Sequence, residues 1–136
     1  MDNELIYLDT NCYMAYFLNR EYGEDSFSLI LKALSCEYKV VTSNVVINEI
    51  KFNGLAEEFK EFIRLLKRRN KLENVFSTAN DRKKAQQLKE KYGVPFNDCL
   101  HAVLCKKSEA ASLVTMDMKH FMRLRSVVTP VYPQEL

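Results

Sequence analysis

Four short apolar runs, and a weaker fifth, alternate with longer segments of helical period along this chain of 136 residues. The runs are Leu5 to Leu8, Lys39 to Thr42, Ala111 to Met116 and Ser126 to Val131, with Leu72 to Phe76 the weaker one. Between them, Phe27, Ile30, Leu31 and Leu34 in Ser26 to Tyr38 follow the spacing of one helix face, as do Phe59, Phe62, Ile63 and Leu66 between Leu55 and Asn70. Two further helices are expected over Asp81 to Tyr92 and Asp98 to Lys107. The strand runs are nearly continuous rather than alternating, which is how strands covered on both faces read. Short buried strands alternating with helices imply βαβ units around a mostly parallel sheet. With no linker, repeat or low-complexity segment, residues 1–136 read as a single α/β domain.

Such a sheet binds ligands beyond the carboxyl ends of its strands, so the residues that close the apolar runs are the first candidates. Asp9 follows Leu5-Ile6-Tyr7-Leu8, and Asp117 follows Leu113-Val114-Thr115-Met116. Asp98 stands after Pro95-Phe96-Asn97 at the start of a helix, and Glu49 lies in the helix after Val40-Val41-Thr42. Aspartate is also a favoured helix N-cap, and for Asp98 and Asp117 taken singly capping is an equal alternative to a functional role. Glu49 resists that account, because it sits inside its helix between Ile47 and Ile50. Asp9 resists it too, since Thr10 and Asn11 could cap by themselves.

Four carboxylates gathered in one pocket repel one another and need neutralising. Oxygen ligands without cysteine or histidine suit the hard ions Mg²⁺ or Mn²⁺ better than zinc. A pair of such ions activates water and stabilises the leaving oxygen of a phosphodiester, so hydrolysis of a nucleic-acid backbone is the chemistry that follows.

Other chemistries lack their residues. Gly23, Gly54 and Gly93 are too scattered for a phosphate-cradling loop. Cys12, Cys36, Cys99 and Cys105 form no CxxC pair and have apolar neighbours, so they read as small buried hydrophobes. A receiver-like phosphoacceptor domain wants an acidic pair after the first strand and a lysine after the last; Asp9 stands alone and Ser126 to Pro130 holds no lysine. The start Met1-Asp2-Asn3-Glu4 is acidic, and no apolar stretch approaches the roughly 20 residues that span a bilayer. A cytoplasmic protein without membrane contact is expected.

Leu8-Asp9-Thr10-Asn11, Glu49 within Ser43 to Ile50, Asn97-Asp98-Cys99-Leu100-His101-Ala102, and Val114-Thr115-Met116-Asp117 through His120-Phe121 together resemble the motifs of the PIN-domain family. The likeness runs from about residue 4 to residue 133, nearly the whole chain. It implies a three-layer fold with a parallel sheet flanked by helices and a Mg²⁺- or Mn²⁺-dependent ribonuclease site, with one or two ions. By that resemblance Asp9, Glu49, Asp98 and Asp117 are the metal ligands, and Thr10, Asn11 and Thr115 support them. A short PIN chain is similar to the VapC-like toxins of toxin–antitoxin pairs, which implies a homodimer inhibited by an antitoxin. An rRNA-processing nuclease and a non-catalytic module that holds RNA or protein are the alternatives.

The net charge of +2 is unevenly spread. Residues 1–59 hold 4 basic and 10 acidic side chains, whereas residues 60–91 hold 11 basic and 4 acidic. Within the basic block Arg64, Lys67 and Arg68 share a helix face and are candidates for RNA phosphate contact, against the alternative of a solvated amphipathic face. His101, three residues after Asp98, is within reach of the acids, but its apolar neighbours favour a hydrogen-bonded packing role. His120 reads as exposed beside a packing Phe121, and Tyr13, Tyr16 and Phe17 read as core or dimer surface.

Overall fold

The computed structural model describes residues 4–18 and 37–136. Five strands, β1 (Glu4–Leu8), β2 (Tyr38–Ser43), β3 (Leu72–Val75), β4 (Ser112–Val114) and β5 (Pro130–Val131), form one sheet in the order β3-β2-β1-β4-β5. Every pairing is parallel. Flanking helices are α1 (Thr10–Leu18), α2 (Asn44–Phe52), α3 (Ala56–Arg68), α4 (Ala79–Tyr92), α5 (Phe96–Lys107) and the single turn α6 (Met118–Phe121). Successive residues Ile6, Tyr7 and Leu8 are all buried, as are Leu113 and Val114, so the middle of the sheet is covered on both faces. The expected helix over Ser26 to Tyr38 lies outside the described residues, except for Glu37 and for Tyr38, which opens β2.

The strand order carries the functional geometry. β1 to β3 step outward in one direction, then β4 returns to the other side of β1. The strand order therefore reverses between β1 and β4, and in such sheets ligands bind beyond the carboxyl ends of the strands at that reversal. Asp9 N–H donates to the Val114 carbonyl at 2.9 Å, so the two strand ends are tied at that point.

Local sequence explains how the helices are placed. Ser43 ends β2 and caps α2, its hydroxyl accepting the Val46 N–H at 3.2 Å. Thr78 and Asp81 form a reciprocal capping box at the start of α4, and Gly93 ends that helix at φ +66°. This box makes α4 begin two residues before the expected Asp81. Lys107, at the end of α5, donates to Asp81 Oδ2 at 2.8 Å and pins α5 to α4. On α3, Phe59, Phe62 and Leu66 face inward, where the first two meet the buried Tyr13 ring edge to face at 5.2 and 5.7 Å. Tyr13 is thus a core residue, while Tyr16 and Phe17 are half-buried.

Two strands are shorter than their apolar runs. Of Ser126 to Val131 only Pro130 and Val131 pair with β4, because the Val127 and Val128 amides turn back to the Leu124 carbonyl. Met116, expected to extend β4, gives its N–H to Asn11 Oδ1 at 3.1 Å instead. Cys12, Cys99 and Cys105 are buried free thiols, and Cys36 lies outside the described residues. No helix among the described residues is long and apolar enough to cross a membrane.

Candidate metal centre

All four acids singled out in the sequence stand at the carboxyl side of the sheet. Asp9 leaves β1 and is buried. Its Oδ1 accepts the Thr10 N–H at 2.8 Å and its Oδ2 accepts the Thr115 hydroxyl at 3.0 Å. Thr115 Oγ1 in turn accepts the Asp117 N–H at 2.9 Å and an Asn11 amide hydrogen at 3.4 Å. Residues 9–11 and 115–117 are thereby cross-linked by side chains, which sets the direction of both aspartates. Asn11 and Thr115 enter this network through their side chains and Thr10 through its N–H, while Thr10 Oγ1 is buried without a hydrogen-bond partner. Asp117 precedes α6 without capping it through its side chain, so capping does not explain it.

Two histidines complete the cluster. His101 Nε2 lies 2.7 Å from Glu49 Oε1 and 3.6 Å from Asp9 Oδ1. Its Nδ1 is 2.7 Å from Tyr7 Oη, which is 2.8 Å from Ser43 Oγ. In the neutral ring Nε2–H donates to Glu49, Nδ1 accepts the Tyr7 hydroxyl, and Tyr7 accepts from Ser43. His101 is buried and hydrogen-bonded, as a packing histidine would be, yet it lies between two of the acids. The expectation for His120 is corrected outright. It is half-buried, with Nδ1 2.8 Å from Asp98 Oδ2 and 3.0 Å from Asp117 Oδ2. Phe121 packs as expected, fully buried. Asp98 and His101 are one turn apart on α5 and join the two groups into one cluster.

The sequence did carry a signal for these histidines. Asp98-Cys99-Leu100-His101 and Asp117-Met118-Lys119-His120 repeat the same Asp-x-x-His spacing, each in the first turns of a helix, where both side chains share a face.

The electrostatics are those of an acid cluster lacking fixed cations. Burial pushes Asp9 up to about 6; His101 and the Thr115 hydroxyl oppose this, while the charges of Asp98 and Glu49 add to it. Asp98 is also raised, by burial first and against the pull of His120. Burial alone would lower His101, but its bond to Glu49 and the charges of Asp9, Glu49 and Asp98 outweigh it and raise the imidazole. Among the described residues no lysine or arginine pairs with any of the four acids. A buried carboxylate with a raised pKa beside like charges is a group that a divalent cation would stabilise, so the donor set fits a metal. Among the described residues, Asp98, Asp117 and His120 have ligand atoms all within 4.8 Å of one another.

Arg64, Lys67 and Arg68 are not part of this cluster. They line a groove of about 530 Å³ floored by Ile47, Ile50, Phe59 and Ile63, on the flank of the helix that carries Glu49. None makes a hydrogen bond or ion pair with the four acids among the described residues. Lys67 and Arg68 also occupy the last turn of α3, where they complement the helix dipole.

Comparison with known proteins agrees with this architecture. No curated protein matches the chain. Solved structures similar to it include VapBC2 from Rickettsia felis bound to a DNA fragment from their promoter, at 20% identity and a TM-score of 0.66, covering 94% of this chain and 98% of that one. A toxin–antitoxin complex from Klebsiella pneumoniae is similar at 12% identity and a TM-score of 0.67, covering 94% and 97%. FitAB bound to the IR36 DNA fragment is similar at 19% identity and a TM-score of 0.66, covering 96% of each chain. At these identities the likeness establishes the shared fold. The family model described as PIN domain matches residues 6–125, from the first strand past the last acid, and the chain belongs to the PIN domain family.

Proposed function

We propose that this protein is a Mg²⁺- or Mn²⁺-dependent endoribonuclease that hydrolyses RNA phosphodiester bonds, and that it serves in the cytoplasm as the toxin of a type II toxin–antitoxin pair. The observation that carries the reading is the meeting of Asp9, Glu49, Asp98 and Asp117 beyond the β1–β4 reversal, with no lysine or arginine among the described residues to neutralise them. Divalent ions bound there supply charge neutralisation, a more acidic water and stabilisation of the leaving oxygen.

The chain's own residues hold the geometry. Asp9 is fixed by the Thr10 N–H and the Thr115 hydroxyl, and Glu49 is aimed by His101. Glu49 or Asp98 orients the attacking water. Arg64, Lys67 and Arg68 contact RNA phosphates along α3. The toxin role rests on the similar solved structures, of which one is a toxin–antitoxin complex, and it implies a homodimer held inactive by an antitoxin protein.

Cleavage of total RNA with and without Mn²⁺ tests the reading. Asp9→Asn or Asp117→Asn should reduce cleavage by about a hundredfold or more while the melting profile keeps a single cooperative transition. Undiminished cleavage by purified Asp9→Asn protein would remove the basis for the assignment.

A further inference from the structure

We propose that His120 is itself a metal ligand, and that with Asp98 and Asp117 it forms a mixed nitrogen–oxygen site that takes a first-row divalent transition ion such as Mn²⁺ in preference to Mg²⁺. This rests on the reading of the acids as metal ligands and adds a donor to that set.

The two histidines of the cluster differ in what their nitrogens can do. Both nitrogens of His101 are engaged, Nδ1 by Tyr7 and Nε2 by Glu49, and the ring is fully buried. His101 is therefore held as a hydrogen-bonding group. His120 places a single nitrogen, Nδ1, where two carboxylate oxygens from different elements converge, at 2.8 and 3.0 Å. One N–H cannot point well at both oxygens, whereas an ion placed among the three atoms meets all of them. Adjacent ligands of an octahedral ion with bonds of about 2.1 Å sit about 3.0 Å apart, which is the spacing of Nδ1 from each oxygen.

The surroundings suit an ion that must enter and leave. The His120 side chain is 31% exposed and that of Asp117 43%, so the site opens to solvent while Asp9 behind it is closed. Phe121, fully buried beside His120, anchors α6, and the three-residue spacing keeps Asp117 and His120 on the same side of that turn. In the ligating tautomer the ring hydrogen sits on Nε2 and the Nδ1 lone pair faces the ion. Mn²⁺, though the hardest of the first-row transition ions, gains more from an imidazole donor than Mg²⁺, which prefers oxygen alone.

The test uses Mn²⁺ as the probe, with equilibrium binding and pulsed electron paramagnetic resonance on the whole chain. Wild-type protein should bind Mn²⁺ more tightly than Mg²⁺, and bound Mn²⁺ should show nitrogen coupling that changes when the histidines carry the heavier nitrogen isotope. His120→Asn sets an amide N–H near the position of Nδ1–H, which keeps a hydrogen bond to the acids but offers no imidazole lone pair. It should lose the coupling and weaken Mn²⁺ binding by about tenfold or more, with Mg²⁺ binding changed less. If that variant does not fold, His120→Gln is read in the same way, and the isotope effect in wild-type protein stands without either. Tight Mn²⁺ binding with no nitrogen coupling, or a coupling that survives loss of His120, would overturn the ligand proposal and leave the acid site standing. Binding of neither ion to wild-type protein would overturn both.

Discussion

Asp9 sets the local cost of this site. Its carboxyl titrates at about 6 in the folded chain, against about 3.9 in an unfolded one. The folded state thus holds the proton more tightly. This contribution to stability is fully present below about pH 4 and is lost as pH rises through about 6, a penalty of about 3 kcal/mol at neutral pH. His101 is raised too, so the stability its protonated ring gives is complete below about 6.5 and is lost as pH climbs through its higher folded value. In chelator, Asp9→Asn protein should therefore gain melting temperature relative to wild type between about pH 4 and pH 7, and adding Mn²⁺ to the wild type should close that gap. A difference independent of pH, measured by thermal scans across that range, would contradict the burial argument. At this scale the acids were legible because each one closes a strand or opens a helix, or, for Glu49, interrupts an apolar face. The histidines were harder to read: a shared Asp-x-x-His spacing marks them, but His101 among Leu100, Ala102 and Val103 looks like any packing residue until its partner Tyr7, distant in sequence, is known.

Four elements meet in the buried chain of hydrogen bonds from Ser43 through Tyr7 and His101 to Glu49. It joins β1, the β2–α2 junction, α5 and α2. Tyr7→Phe strands the His101 ring on one side, so it should destabilise the fold by about 1–3 kcal/mol. It should also lower cleavage through loss of Glu49 orientation, while leaving Mn²⁺ coordination by Asp98 and Asp117 in place. Denaturant melts and single-turnover cleavage on the same preparation separate the two effects. Helices and strands were readable from period, but their ends were decided by side-chain bonds the period does not contain. Thr78 and Asp81 start α4 early, and Asn11 takes the Met116 amide away from the sheet. The Leu124 carbonyl draws back the amides of Val127 and Val128, which shortens β5 to two residues.

Over the whole molecule, charge and topology divide the work. The acids gather beyond the carboxyl ends of β1 and β4, while Arg64, Lys67 and Arg68 lie along a separate groove beside α2 and α3. Replacing those three by glutamate should weaken RNA binding and flatten its salt dependence by about two to three units in the slope of log affinity against log salt, without altering Mn²⁺ affinity. Filter binding at several salt concentrations reads the slope, and an unchanged slope would place the RNA elsewhere. A parallel sheet was foreseeable from continuous apolar runs; the placing of β4 beside β1 was not, because adjacency of strands distant in sequence leaves no local mark. That placing has a consequence for biosynthesis. The acids at positions 9, 49, 98 and 117 are spread over most of the sequence, and the last of them follows a strand that β5 flanks. A chain that folds as it is made therefore holds the four acids apart until β4 has docked beside β1, because Asp117 follows that strand.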